Sequence, residues 1–193
     1  LAALGAACAL NLPPQQVLEA LASTPQVPGR MTAIQAGQPF GVVVDYAHTP
    51  ESLAKVLTLL RRLNPEGRLI VVFGSAGERD TTKRPIQGNV AATLADITIV
   101  TNEDPRYEDA SAIVQAIADG AEAAGAAPGE SLFTIVERRA AIAHAIDLAR
   151  KGDTILLAGK GHERSIIWKG AKLPWDEVAV ATELLAERGW TQA

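Results

Sequence analysis

A mostly parallel α/β sheet with helices on both faces is the fold this sequence predicts, and three observations carry the prediction. After Arg30, short runs of Val, Ile and Leu alternate regularly with amphipathic stretches of helical spacing. The runs are continuously apolar rather than alternating with polar residues, as strands covered on both faces must be. The chain has 193 residues, 48% of them hydrophobic, and no long Pro/Gly/Ser tract, so it can bury such a core. The expectation is a Rossmann-like α/β domain built from right-handed βαβ crossovers.

The elements follow in order. Leu1 to Ala9 reads as a buried helix of small residues, and Pro13-Pro14 open a second helix that aligns Val17, Leu18 and Leu21. Ser23 to Gly29 holds Pro25, Pro28 and Gly29 and reads as a connector. Gly41 to Asp45 is the first clear strand. A helix from about Glu51 to Arg62 follows it, with Leu53, Val56, Leu57 and Leu60 on one side and Thr49-Pro50 at its start. Arg68 to Phe73 is a strand and Arg84 to Leu94 a helix. Ile97 to Val100, a helix over Ala110 to Ala124, Leu132 to Val136, a helix over Ala140 to Lys151, and Thr154 to Leu157 continue the alternation. Ser165 to Lys169 reads as a short edge strand, and Asp176 as the N-cap of a final helix running through Arg188.

Composition narrows the function classes. A formal net charge of −4 without a basic face argues against nucleic-acid binding. The single cysteine, Cys8, rules out an internal disulfide and suits a reducing, cytoplasmic setting. No apolar run reaches the roughly 18 residues needed to cross a bilayer. Leu1 to Leu12 is apolar but lacks a basic leader and an initiator Met, so it reads as a helix cut from a longer protein rather than a signal peptide.

In open α/β sheets ligands bind outside the carboxyl ends of the strands, and four polar stretches fall there. Asp45 to Pro50 follows the first strand, where Asp45 can accept from a ribose hydroxyl or serve as a cap. Gly74 to Pro85 carries Arg79, Lys83 and Arg84, able to grip anions or to form a solvated loop. It lacks the Gly-Lys-Ser/Thr ending of a phosphate loop. Glu103-Asp104-Pro105-Arg106 and Gly159-Lys160-Gly161-His162-Glu163 put both signs of charge at the edge, as a zwitterion with further charged ends requires. A buried Glu163 can bind an ammonium group, although the glycines around Lys160 equally suit a plain turn. His48, His144 and His162 form no recognisable metal set, and Trp168, Trp175 and Trp190 are too scattered for a stacking platform.

Five segments, taken in order, resemble the Mur ligase family, within it the ligases that add a third, diamino residue to UDP-N-acetylmuramoyl-L-alanyl-D-glutamate. They are Pro28-Gly29-Arg30-Met31, Asp45 to Pro50, Gly77 to Pro85, Glu103 to Arg106 and Gly159 to Glu163. The resemblance implies a three-domain enzyme that uses ATP and Mg2+ to make an acyl-phosphate, which an incoming amine attacks. Residues 1–26 would be the tail of the central ATPase domain and 27–193 the C-terminal domain. It assigns Arg30, Asp45 and His48 to the nucleotide. Arg79, Glu103, Asp104, Arg106, Gly159 and Glu163 fall to the diamino acid. It implies no catalytic residue or metal ligand in this chain, since ATP and Mg2+ are held mainly by the central domain, so the chain alone would be inactive. Its partners would be UDP-N-acetylmuramoyl-dipeptide, a diamino acid and the other two domains. The family's diaminopimelate motif is Asp-Asn-Pro-Arg, where this chain has Glu103-Asp104-Pro105-Arg106. The resemblance favours meso-diaminopimelate, whose distal carboxylate Arg106 could pair with, while the extra carboxylate leaves lysine and ornithine open. Glu78 and Thr81-Thr82 also depart from the family's loop. A folylpolyglutamate synthase- or cyanophycin synthetase-like ligase, or a non-catalytic ligand-binding module, is the alternative expectation.

Overall fold

The computed structural model of the chain describes residues 2–24 and 27–191. Leu1, at the start of the expected first helix, lies outside the described residues. So do Pro25 and Gln26, in the expected connector and at the expected 26/27 boundary.

A six-stranded sheet in the order β1-β2-β6-β3-β4-β5 forms the centre. Its strands are β1 (Thr32–Ile34), β2 (Gly41–Asp45), β3 (Leu69–Phe73), β4 (Ile97–Val100), β5 (Leu132–Thr134) and β6 (Thr154–Ala158). Every pairing is parallel except β1 with β2. Successive strand residues point to opposite faces, so each strand feeds two cores. Ile70, Val72, Ile155 and Leu157 pack under α6 (Arg138–Leu148) and α7 (Glu177–Ala186). Val71, Phe73, Val100 and Leu156 pack under α3 (Pro50–Leu63), α4 (Lys83–Leu94) and α5 (Ala110–Ala123). The expected architecture, a mostly parallel sheet with helices on both faces, is what forms.

The helix starts follow from local chemistry. Thr49 and Ser52 make a reciprocal capping box on α3, with Pro50 in the first turn. Asp109, Glu137 and Asp176 accept from the first free N–H groups of α5, α6 and α7. Trp190 packs edge-on against Phe40, with ring centroids 5.2 Å apart, at the margin of the core.

Several expectations need correction. The segment Ser165 to Lys169 is not an edge of the main sheet. Its strand β7 (Ser165–Trp168) pairs antiparallel with β8 (Ala171–Pro174) in a separate hairpin, turned by Lys169 and Gly170 at φ 47° and 78°. β8 is exposed along its length and contains Lys172 and Pro174, so no apolar run announces it. β1 has only three residues and was not anticipated either. α6 begins at Arg138, two residues before its expected start, because Glu137 is its cap. In α1 (Ala2–Ala9) only Ala7 is buried, and α2 (Pro14–Ser23) buries none of its residues, so the expected buried first helix is largely exposed.

Strand order positions the site. β6, which follows β5 in the chain, inserts between β2 and β3, so the loops leaving β2, β6, β3 and β4 stand in a row along one edge. All four polar stretches lie on those loops and on the strand and helix ends that border them.

Candidate functional site

Glu103 lies at the β4 end of the row, and its side chain reaches inward along it. It follows β4 and is 7% exposed. Because β3 separates β4 from β6, its side chain spans the end of β3 to reach Gly159. Gly159 has φ 103°, where any side chain would be strained, and a methyl group there would lie 2.8 Å from Glu103 Oε2 and displace that carboxylate. Among the described residues Oε2 has no hydrogen-bond partner. Burial pushes the Glu103 carboxyl above the ordinary range, against the opposing pull of Arg138, Lys160 and Lys83.

The two charged motifs meet through Lys160. Its ammonium is fully buried and donates to Asp104 Oδ1 at 2.9 Å and Glu163 Oε2 at 2.6 Å. Asp104 Oδ1 also accepts from the Ile167 N–H at 2.9 Å. Contrary to expectation Glu163 is only half-buried, whereas Lys160 is fully buried. Arg106 sits in the left-handed region at φ 55°. The β7–β8 hairpin holds it there: Arg106 N–H donates to Ile167 O at 2.9 Å, and Lys169 N–H to Arg106 O at 2.7 Å. Among the described residues no carboxylate forms an ion pair with Arg106, and its buried Nε has no partner. The motif's own carboxylates therefore do not consume its guanidinium.

The second group of expected residues gathers on Tyr46. The Arg30 guanidinium lies 4.7 Å from the Tyr46 ring centroid, and the His48 and His162 rings stand 4.7 and 5.1 Å from it. Tyr46 donates its hydroxyl to Glu163 Oε1 at 3.4 Å, which joins the two expected sets. Burial first, and Glu163 second, raise the Tyr46 pKa. His48 donates from Nδ1 to Tyr46 O at 2.9 Å, which leaves Nε2 as an acceptor in the neutral ring. Asp45 is buried, and its two oxygens accept from Met31 N–H at 2.9 Å and Ala47 N–H at 2.8 Å. It ties the Arg30–Met31 turn to the end of β2.

Arg79 is exposed on the loop after β3. That loop is fastened to the Arg106 segment, because Gly77 N–H donates to Asp104 O at 2.8 Å and Arg84 pairs with Glu108 at 2.9 Å. A cleft of about 410 Å3 opens between the Pro28–Thr32 segment, His162–Arg164 and the start of α7, with Glu163 in its wall.

Sequence reading missed the support beneath this edge. Arg138 and Glu177 are both fully buried and pair at 2.6 Å. Arg138 also donates to Asn102 O at 3.1 Å and Ala158 O at 2.8 Å, the residues that immediately precede the two motifs. Glu137-Arg138-Arg139 reads as an ordinary charged helix start, and nothing in it signals a partner at Glu177. One signal does mark the edge. Apart from His144 Nε2, every buried polar side-chain atom without a partner among the described residues lies here, on Ser75, Arg84, Gln87, Asn102, Glu103 and Arg106. Buried polar atoms are normally satisfied, so such a cluster points to a ligand.

Residues 29–161 match the family described as Mur ligase, glutamate ligase domain. The chain is 53% identical over 98% of its length to UDP-N-acetylmuramyl-tripeptide synthetase of Roseiflexus sp. (strain RS-1). It is 44% identical over 96% of its length to UDP-N-acetylmuramoyl-L-alanyl-D-glutamate–2,6-diaminopimelate ligase of Syntrophomonas wolfei. It spans 37% of the length of each. A solved structure of a UDP-N-acetylmuramoyl-L-alanyl-D-glutamate–2,6-diaminopimelate ligase superposes on 97% of the chain with a TM-score of 0.77 and 32% identity; the chain covers 37% of it. A folylpolyglutamate synthase/dihydrofolate synthase from Yersinia pestis shares the fold, with a TM-score of 0.58 at 14% identity, 92% of this chain and 35% of that one being covered.

Proposed function

The chain belongs to the Mur ligase family, and on that premise we propose that it is part of an ATP-dependent ligase that joins a diamino acid to UDP-N-acetylmuramoyl-L-alanyl-D-glutamate in peptidoglycan precursor synthesis. Residues 27–193 serve as its C-terminal domain and 1–26 as the tail of the central one. The relatives' names support the reaction, and their greater length supports a longer parent. The folylpolyglutamate synthase alternative has only the shared fold behind it.

The observation that carries the proposal is that one motif offers an uncommitted guanidinium, Arg106, and a buried carboxylate, Glu103, whose Oε2 has no partner among the described residues. An amino acid with a carboxylate and an ammonium at its far end satisfies both. Asp104 is taken by Lys160, so the motif does not neutralise Arg106 internally. That favours meso-diaminopimelate over lysine or ornithine, because only diaminopimelate brings a distal carboxylate to the guanidinium fork.

In the reaction the muramoyl dipeptide's free carboxylate takes the terminal phosphoryl group of ATP, and the diamino acid's amine displaces phosphate from that acyl-phosphate. This chain's part is to bind and orient. Arg106 and Glu103 fix the far end of the amino acid, Glu163 takes an ammonium, and Arg30 and His48 face the nucleotide from the Tyr46 side. Asp45 acts there indirectly, by holding the Arg30–Met31 turn. No group of three His, Cys, Asp or Glu side chains able to hold a metal ion occurs among the described residues, so Mg2+ is assigned to no residue here.

Amino-acid competition in the full-length enzyme tests the reading. Diaminopimelate should outcompete lysine by about two orders of magnitude or more, since a desolvated Arg left unpaired is costly. Arg106→Ala should abolish that preference. Equal use of lysine, unaffected by Arg106→Ala, would overturn it.

A further inference from the structure

Lys160 stands in the wall of the proposed amino-acid pocket with no measurable exposure. Its two carboxylate partners are not equally constrained. Asp104 is fixed independently of Lys160, because its Oδ1 also accepts from the Ile167 N–H of the β7–β8 hairpin at 2.9 Å. Its backbone is held as well, through Gly77 N–H on Asp104 O at 2.8 Å. Glu163 is half-buried and has a longer stem. Its Oε2 lies 2.6 Å from Lys160 Nζ, whereas among the described residues its Oε1 meets only the Tyr46 hydroxyl, at 3.4 Å. A contact of that length orients a carboxylate weakly. The direction of Glu163 therefore depends on Lys160.

We infer that Lys160 is a positioning residue for the amino-acid substrate, holding Glu163 by Oε2 so that Oε1 is presented to an incoming ammonium group. This rests on the diamino-acid reading above. Two further features fit it. The short spacing between Lys160 and Glu163 is held by a turn, with Glu163 N–H donating to Lys160 O at 2.8 Å, so ammonium and carboxylate are presented from one rigid unit. Gly161, between them, packs against the Gly29 carbonyl and Tyr46, so the turn is braced against the strand β2 side of the site. Freezing a Glu side chain in advance removes the rotamer entropy that binding would otherwise have to overcome. Asp104 and Glu163 both accept from this one buried ammonium, so a single cation serves two carboxylates there.

The test is steady-state kinetics of the full-length ligase carrying Lys160→Met, nearly isosteric but uncharged. The amino-acid KM should rise about ten- to a hundredfold, the effect of losing a charge-assisted hydrogen bond. KM for ATP and for the UDP-muramoyl-dipeptide, and kcat at saturating amino acid, should stay within about threefold, as loss of uniform binding predicts. A merely structural lysine would not confine its effect to one substrate. In a double-mutant cycle with Glu163→Gln, the second substitution should add little to the first, because both remove one interaction. Lys160→Gln, which keeps a donor without the charge, should lie between wild type and Lys160→Met. Unchanged amino-acid KM in Lys160→Met, additive effects in the cycle, or failure of both lysine variants to fold would each overturn the inference. A wild-type enzyme that ligates no diamino acid would instead overturn the proposed function.

Discussion

Arg138 reaches both motif loops from beneath the sheet edge while its charge is held by Glu177, at 2.6 Å and with neither side chain exposed. Its remaining donors hold Asn102 O and Ala158 O, so one guanidinium sets the separation of β4 and β6 across the end of β3. Trp175 Nε1 donates to Glu177 at 2.6 Å, which links α7 and the end of the hairpin to the same point.

Breaking that pair from one side should be severe. Arg138→Met leaves a buried carboxylate without a counter-ion, and the expected loss is about 3–5 kcal/mol of unfolding free energy. Replacing both partners, as in Arg138→Met with Glu177→Leu, should recover most of it. Urea unfolding of the single and double variants checks this. A single variant within about 1 kcal/mol of wild type would contradict the clamp.

Gly159→Ala should damage substrate use more than folding. The methyl group would press on Glu103 Oε2, and the residue would be strained at φ 103°. Glu103 can move only by leaving the place where it meets the ligand. The expected outcome in the full-length enzyme is a rise in amino-acid KM of at least about tenfold, roughly one lost interaction. An unchanged KM would mean that Glu103 lies outside the pocket.

Arg30 and Asp45 should behave differently although both were assigned to the nucleotide. Arg30→Ala removes an exposed side chain stacked on Tyr46 and should lower turnover about ten- to a hundredfold without unfolding the chain. Asp45→Ala strips the Met31 and Ala47 N–H groups of their acceptor and should cost about 1–3 kcal/mol of stability as well. Thermal melts beside activity assays separate the two. Matching melts for both variants would remove the structural role of Asp45.

A pH-dependent contribution to stability should come from Asp153, at the start of β6. Its burial favours the neutral acid, but Arg68 and backbone N–H groups of Arg150 and Arg68 outweigh this and hold the carboxyl below its ordinary value. A folded-state pKa below the unfolded one gives stability that is present above the unfolded value of about 3.9 and is lost as pH falls through the folded value. Asp153→Asn should therefore cost about 1.5–3 kcal/mol at pH 7, and the difference from wild type should shrink under acid. A difference that persists undiminished at pH 2 would contradict the assignment.

Sheet and helices were legible because their signals are local. Continuous apolar runs mark strands buried on both faces, and Thr49, Asp176 and Pro50 mark helix starts within a few residues. β1 and β8 were not legible, being only three or four residues long, and β8 carries Lys172 and Pro174. Each conforms to its neighbour's hydrogen bonds rather than to its own sequence. The motif residues were visible as charged stretches after strands, and Arg30 and Glu163 do converge, through Tyr46.

The sequence by itself determined that charged loops follow strands, which residues they carry and that they share one edge, since all of this follows from local order along the chain. Only the tertiary structure decided which charges pair. Lys160 rather than Arg106 takes Asp104, because the insertion of β6 between β2 and β3 brings the two motif loops across β3, and the hairpin holds Arg106 by its backbone alone. Arg138 finds Glu177 for the same kind of reason: α6 and α7 lie on one face of the sheet, a relation no spacing along the chain encodes. Coulombic partners are chosen by distance in space, and at low dielectric a few ångströms decide which pair forms.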